Sequence, residues 1–323
     1  MENPFIIELE EKEEYNIEDY IKIQEKLSQK NIDNILKSYF PPKNFFYDYN
    51  DFKNRCSRGI SQNIIDLSNN IVPTKNLYKI GTGGNNKNCI VCCTPINHKC
   101  ETNYQYNSRY NASQSIKHSL ENSGYNGYFY LFNGGFPNPT GKEMKYLGVP
   151  YCFKIFMMLE AKKKGFERII WLDSACMAIN NPNDLFERLE HDNVLFRYYS
   201  YNNNYDAMVF KETIELLNGV TNSDIHSAGY LMTIVFGLNL ESESINKVIA
   251  EYYHMVELGL PFLSIFPEEI VLSAIFNKPE YRDLILGQTA DLNKLFIGEK
   301  NKDIVEATNE GYYFYHRDDK KFM

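Results

Sequence analysis

Alternating strand and helix signals from about residue 88 onward predict an α/β fold with a mostly parallel central sheet flanked by helices. Two observations carry the prediction. Short apolar runs recur at residues 89–94, 128–132, 168–173 and 194–198. Helical stretches at residues 113–121 and 149–164 separate the first three of them, and glycines (Gly124, Gly165) close those helices. Strand and helix in strict succession give parallel strands with both faces covered. Ligands of such sheets sit beyond the carboxyl ends of the strands, so the residues just after each strand matter most.

The elements follow in order. Residues 1–85 are rich in Glu, Lys, Asn and Ile, with helical periodicity over 20–30 and 32–40 that Pro41-Pro42 ends. GTGGNN at 81–86 reads as a junction; no GK[ST] follows it, and it precedes a strand, so it is not a phosphate loop. We therefore expect an N-terminal helical extension over 1–85 and a main domain over 86–323. In the helix at 149–164, Pro150 suits the first helical position and Gly165 the residue past the end. Lys162, Lys163 and Lys164 suit the negative end of its dipole. Residues 151–159 are apolar except for Lys154. A buried ammonium there needs an anionic partner; otherwise the stem snorkels to the surface. The strand RIIWLD (168–173) ends in Asp173, and Asn181, Pro182 and Asp184 mark the start of the next helix.

Bulk composition narrows the function. A net charge of −8 disfavours nucleic acid as the main partner, while leaving room for local nucleotide binding. The 25 Tyr and 21 Phe suit sugar and base contacts at particular sites, although Asn-, Lys-, Ile- and Tyr-rich composition also follows from codon bias. The acidic start MENPFIIELEEKEE is no signal peptide, and no apolar run reaches the ~20 residues of a membrane span. These features point to the cytoplasm and to free thiols for the 7 cysteines. Cys89, Cys92, Cys93, Cys100 and His98 contain one CxxC without a second pair, and NCIVCCTP reads as a buried strand instead of a zinc site.

The block YCFKIFMMLEAKKKGFERIIWLDSACMAINNPNDLFERLE (151–190) resembles the centre of glycosyltransferases of the GT-A type. In that family a Lys-bearing helix leads to a strand ending in an Asp-x-Asp motif. NCIVCCTP looks like the family's first strand, SAGYLMTIVFGLNLES like its later strand and helix, and FPEEIVLSAIF like its acidic helix start. YHRDDKK resembles the basic segment that returns to the diphosphate. The resemblance covers about residues 88–320. It implies a Rossmann-like GT-A fold and transfer of a sugar from a nucleotide sugar, UDP-linked by prior, onto a glycan or protein acceptor. The motif here is Asp173-Ser174-Ala175, so its second carboxylate is absent.

The resemblance implies Mn²⁺ or Mg²⁺ at Asp173 with His316, or cations alone on the leaving diphosphate: Lys154, Arg317, Lys320 and Lys321. Thr94, Ser174 and Arg109 join the donor side, and the segment 95–110 would hold the base, with Tyr104, Tyr106 or Tyr110 stacking on it. If the anomer inverts, a carboxylate takes the acceptor proton. Glu268 and Glu269 are the candidates, unless they merely complement a helix N-terminus, and Asp206 is the backup. A nucleotidyltransferase would need a Gly-rich basic loop after the first strand, where TPINHKCETN stands instead. A non-catalytic carbohydrate- or nucleotide-binding scaffold fits Ala175 but not the retained Asp173, Lys154 and His316. A homo-oligomer is compatible with the sequence.

Overall fold

The computed structural model describes residues 3–29, 32–40, 50, 73–95, 103–199, 205–222, 224–288 and 292–317. Its centre is a six-stranded sheet built from β1 (Thr74–Ile80), β2 (Asn88–Thr94), β3 (Gly127–Asn133), β4 (Arg168–Leu172), β6 (Val194–Tyr199) and β7 (Tyr230–Asn239), in the order β1-β3-β2-β4-β7-β6. A three-stranded sheet, β5 (Cys176–Ala178), β9 (Phe314–His316) and β8 (Phe296–Gly298), lies after β4 in the chain.

The sheet is less parallel than the sequence suggests. β3, β2 and β4 run parallel, whereas β1 pairs with β3, β4 with β7 and β6 with β7 antiparallel. The reason lies in the connections. β1 leaves its sheet position through the tight turn at Gly81, Gly83 and Gly84, all at positive φ, so it meets β3 head to tail. β7 begins opposite the end of β6 (Tyr199 beside Tyr230), so the two strands run antiparallel.

Alternation along the strands divides two cores. Val91, Tyr130, Phe132, Ile169, Trp171 and Phe236 face helices Phe153–Lys163, Glu243–Leu258 and Pro267–Phe276. Ile90, Cys92, Phe129, Leu131, Ile170 and Leu172 face helices Asn103–Asn122 and Asn183–Asp192. Cys89 and Cys93 therefore belong to the first core and Cys92 to the second, an arrangement that cannot bring the three thiols to one metal. All three are free and buried, and burial raises their thiols.

The expected extension over 1–85 is not helical throughout. It supplies helices Ile17–Gln29 and Ile32–Lys37 but also β1, and its Phe5, Ile7, Tyr20 and Ile23 sit in the first core. Pro150 does not open the Lys154 helix. That helix starts at Phe153, after a turn in which Tyr151 takes φ 57, while Gly165 takes φ 94 just past its end. The next helix begins at Asn183, one residue later than expected, with Pro182 instead of Asn181 at its N-cap and no side-chain capping bond; Asn181 Oδ1 accepts the Asn183 N–H at 3.0 Å just ahead of it. No described helix is long and apolar enough to cross a membrane.

Candidate active site

Lys154 stands in the first turn of its helix, beneath the carboxyl end of β4, with 3% of its surface exposed. An ammonium at the positive end of a helix dipole and out of water is doubly unfavourable. Its partners explain why it is tolerated. Nζ lies 2.9 Å from Asp173 Oδ1 and 2.6 Å from Glu268 Oε1. It also donates to the Thr233 carbonyl at 3.0 Å. With the Thr233 hydroxyl at 3.3 Å, four oxygens surround its three N–H groups. Burial alone would lower this ammonium, but Asp173 and Glu268 together outweigh that and hold it above its ordinary value.

Each partner arrives from a different element. Asp173 follows β4 and keeps the parity of Trp171, whose indole Nε1 donates to Asp173 Oδ1 at 2.7 Å. Thr233 is free to turn its carbonyl toward Lys154 because of a bulge. β6 pairs Phe196 with Phe236 but Arg197 with Met232, leaving residues 233–235 of β7 without partners on β6. Glu268 and Glu269 open helix Pro267–Phe276, as expected, and both are buried.

Glu269 differs from Glu268. Glu268 Oε1 holds Lys154 and accepts the Thr233 hydroxyl at 2.8 Å. Glu269 Oε1 accepts the Thr233 N–H at 3.1 Å, and its Oε2 accepts the Tyr230 hydroxyl. Desolvation, and then the neighbouring Glu268 charge, push the Glu269 carboxyl up to about 7. The site therefore holds one carboxylate committed to a cation beside one poised to exchange a proton near neutrality.

The other expected residues fall in several places. Asp206 does not reach this group through any hydrogen bond in the structure; its Oδ1 meets His226 Nε2 at 2.8 Å, while His226 Nδ1 meets Asp224 at 2.9 Å. Tyr205, beside Asp206, packs edge-on against Tyr230 at 6.3 Å. His316 pairs with Cys176 across β9 and β5, and the Arg317 N–H donates to the Ala175 carbonyl at 3.1 Å. The carboxy-terminal segment is thus brought back to the Asp173-Ser174-Ala175 turn. Lys320 and Lys321 lie outside the described residues.

Thr94 ends β2, buried, and its hydroxyl bonds Asn133 Oδ1 at the end of β3, which also accepts from Ser113 at 3.1 Å. The expectation of a base-binding loop through residue 110 needs correcting. From Asn103 the chain is already helical, so Tyr104, Tyr106, Arg109 and Tyr110 lie on the helix, their side chains outside the described residues. The start was missed because Asn-Tyr-Gln-Tyr-Asn lacks an apolar stripe and reads as polar loop.

Sequence reasoning also passed over Thr233, Tyr230 and His226. Trp171 had a usable signal: its spacing of two from Asp173 places both on one face of the strand. Among the described residues, no group of three or more His, Cys, Asp or Glu is arranged to hold a metal ion.

No family model matches the sequence, and no curated protein matches it. Among solved structures, the chain is similar to a glycosyltransferase involved in glycosylation of the major capsid of PBCV-1. That alignment has 15% identity and a TM-score of 0.34, and covers 71% of this chain and 91% of the other. It is also similar to mouse xyloside xylosyltransferase 1 in its apo form, at 13% identity and TM-score 0.38, covering 74% of this chain and 99% of the other. At these scores the chemistry of the site is read from its own residues.

Proposed function

We propose that this chain is a glycosyltransferase of the GT-A type, transferring a sugar from a nucleotide sugar, UDP-linked by prior, to a glycan or protein acceptor. One observation carries the reading. At the carboxyl edge of a parallel strand trio, Lys154 bridges Asp173 and Glu268, and next to them stands Glu269, raised to about 7. That is an acid–base centre at the edge where open α/β sheets bind ligands.

In the inverting form of the reaction, the acceptor hydroxyl gives its proton to Glu269 while its oxygen bonds the anomeric carbon. The bond from that carbon to the diphosphate oxygen breaks, and the diphosphate leaves with the electron pair. Lys154 acts as a positioning residue: all three of its N–H groups are engaged, and it fixes Asp173 and Glu268 instead of reaching out to phosphate. Arg317, returned to the Asp173 turn beside His316 by β9, is the cation assigned to the leaving group. A divalent metal fits Asp173 poorly. Its Oδ1 already accepts from the indole of Trp171 and the ammonium of Lys154, whose charge repels a second cation.

The scaffold reading is favoured by the same saturation of Lys154 and by Ala175. Calorimetry with UDP, GDP and their sugar conjugates, in Mn²⁺ and then in EDTA, separates the readings. Binding that survives EDTA supports transfer by protein cations, and binding that needs Mn²⁺ restores a metal at Asp173. No binding under either condition removes the transferase and leaves the scaffold.

A further inference from the structure

The turn that leads into β7 is clamped at Gly229. The Gly229 N–H donates to Asn277 Oδ1 at 3.0 Å, and the Gly229 carbonyl accepts from Asn277 Nδ2 at 2.9 Å and from the Tyr205 hydroxyl at 3.0 Å. The Tyr198 ring fills the side-chain position: a Cβ on Gly229 would lie 2.2 Å from it, so glycine is required there. One residue past Tyr230, the Leu231 N–H donates to Ser273 Oγ at 2.9 Å. Tyr230 is thus fixed at both backbone neighbours. Its ring meets the buried Tyr205 edge-on at 6.3 Å, and its hydroxyl donates to Glu269 Oε2.

We propose that Tyr230 is the residue that meets the acceptor hydroxyl and passes its proton on to Glu269. The assignment rests on the glycosyl-transfer reading. Glu269 is 7% exposed. Its Oε1 accepts the Thr233 N–H at 3.1 Å, and its Oε2 accepts the Tyr230 hydroxyl. Tyr230 is the more open of the pair. Half-buried, it starts β7 at the edge where β4 and β6 end, opposite Tyr199, which is 41% exposed. A phenol that donates its one O–H keeps lone pairs for a second partner. An alcohol can therefore donate to Tyr230 Oη while Tyr230 donates to Glu269.

The step balances. As the acceptor oxygen bonds the anomeric carbon, its O–H bond breaks and that proton joins Tyr230 Oη. The original phenolic O–H breaks, and its proton joins Glu269 Oε2. The bond from the anomeric carbon to the diphosphate oxygen breaks, and the electron pair leaves with the diphosphate. Tyr230 ends neutral, as it began. The two proton transfers are concerted, because burial and then the Glu269 charge push the phenol well above its ordinary 10, so free phenolate is not populated. Glu269, at about 7, takes up the proton.

The test is acceptor-dependent transfer by the full chain from UDP- and GDP-sugars to methyl glycosides, for the native protein, Tyr230→Phe and a chain carrying 3-fluorotyrosine in place of Tyr230. Phe keeps the ring and drops the hydroxyl. Transfer kcat should fall about 10²-fold or more, with the donor KM changed less than about twofold. The Tyr230 hydrogen bond holds the Glu269 carboxyl down, so the ascending limb of the residual pH profile should move above about 7. A proton inventory in H₂O–D₂O mixtures should curve in the native chain, with two protons in flight, and become linear in Tyr230→Phe. The 3-fluorotyrosine chain, which keeps the hydroxyl, should stay within about fivefold of native. Urea unfolding checks that Tyr230→Phe folds; where it does not, the native inventory decides alone. Transfer by folded Tyr230→Phe within about threefold of native, or a linear native inventory, overturns the relay and leaves Glu269 as a direct base. Absence of transfer by the native chain overturns the transferase reading, and the relay with it.

Discussion

Replacing Lys154 by Met should unfold the chain far more readily than a loss of surface charge would. Lys154 is 3% exposed and Glu268 4%. Met keeps most of the alkyl stem, so the loss is electrostatic. Removing one partner of a buried ion pair leaves the other charge uncompensated, at a cost of about 3–5 kcal/mol. Asp173, with 29% of its side chain exposed, turns to water and adds little. Urea unfolding measures this as a lower midpoint at an unchanged m-value. The double variant Lys154→Met with Glu268→Gln removes both charges and should recover at least about 2 kcal/mol of the loss, a coupling in the range of contacting pairs. Acidification, which neutralises the orphaned carboxylates, should shrink the deficit of the single variant. A single-variant loss under about 1 kcal/mol, or no recovery in the double variant, would refute the view that Lys154 is the counter-ion of these carboxylates.

Three further outcomes follow from the same geometry. If Glu269 is the base, kcat/KM for transfer rises with pH through about 7, and Glu269→Gln removes that limb with a loss of about 10²-fold or more; a flat profile in the native chain counts against it. Trp171→Phe keeps the ring in the core but drops the indole N–H to Asp173, costing about 1–3 kcal/mol in urea unfolding and loosening Asp173; an unchanged midpoint would show that this bond does not hold the carboxylate. Both ring nitrogens of His226 face carboxylates, Asp206 first and Asp224 second, so only the imidazolium satisfies both, and its pKa is raised from 6.5. A raised folded value stabilises fully below 6.5 and fades as pH climbs through it. Asp224, lowered by the His226 N–H and ring, contributes above the ordinary carboxylate range and fades as pH falls through its depressed value. Amide exchange over residues 224–228 should therefore be slowest in mildly acidic solution and become pH-insensitive, apart from intrinsic chemistry, in His226→Gln.

Much of the central sheet could be read from the chain because its strands are short apolar runs with buried faces. The runs at 89–94, 128–132, 168–173 and 194–198 match β2, β3, β4 and β6 to within one residue at each end. Strand direction was less legible. Nothing local in residues 230–239 says that β7 runs back along β4, since direction is set by where the preceding loop leaves the chain. The same limit governs the site. Lys154 and Asp173 announced themselves, one as a lone charge in an apolar helix and the other as a carboxylate ending a strand. Their pairing with Glu268 joins positions 114 and 95 residues apart, which only tertiary packing can show. Thr233 gives no signal at all, because its role depends on a bulge in the pairing of β6 and β7. His226 was invisible for the same reason: Asp206 lies 20 residues away in sequence and 2.8 Å in space.

The most direct test of the glycosyl-transfer reading is release of free nucleoside diphosphate from a panel of UDP- and GDP-sugars by the purified chain, in EDTA, beside its Glu269→Gln and Arg317→Ala variants. The account predicts turnover of at least one donor in the native chain, a large loss in Arg317→Ala, and loss of acceptor-dependent release in Glu269→Gln. No release from any donor, with or without added Mn²⁺ and acceptor, would contradict it.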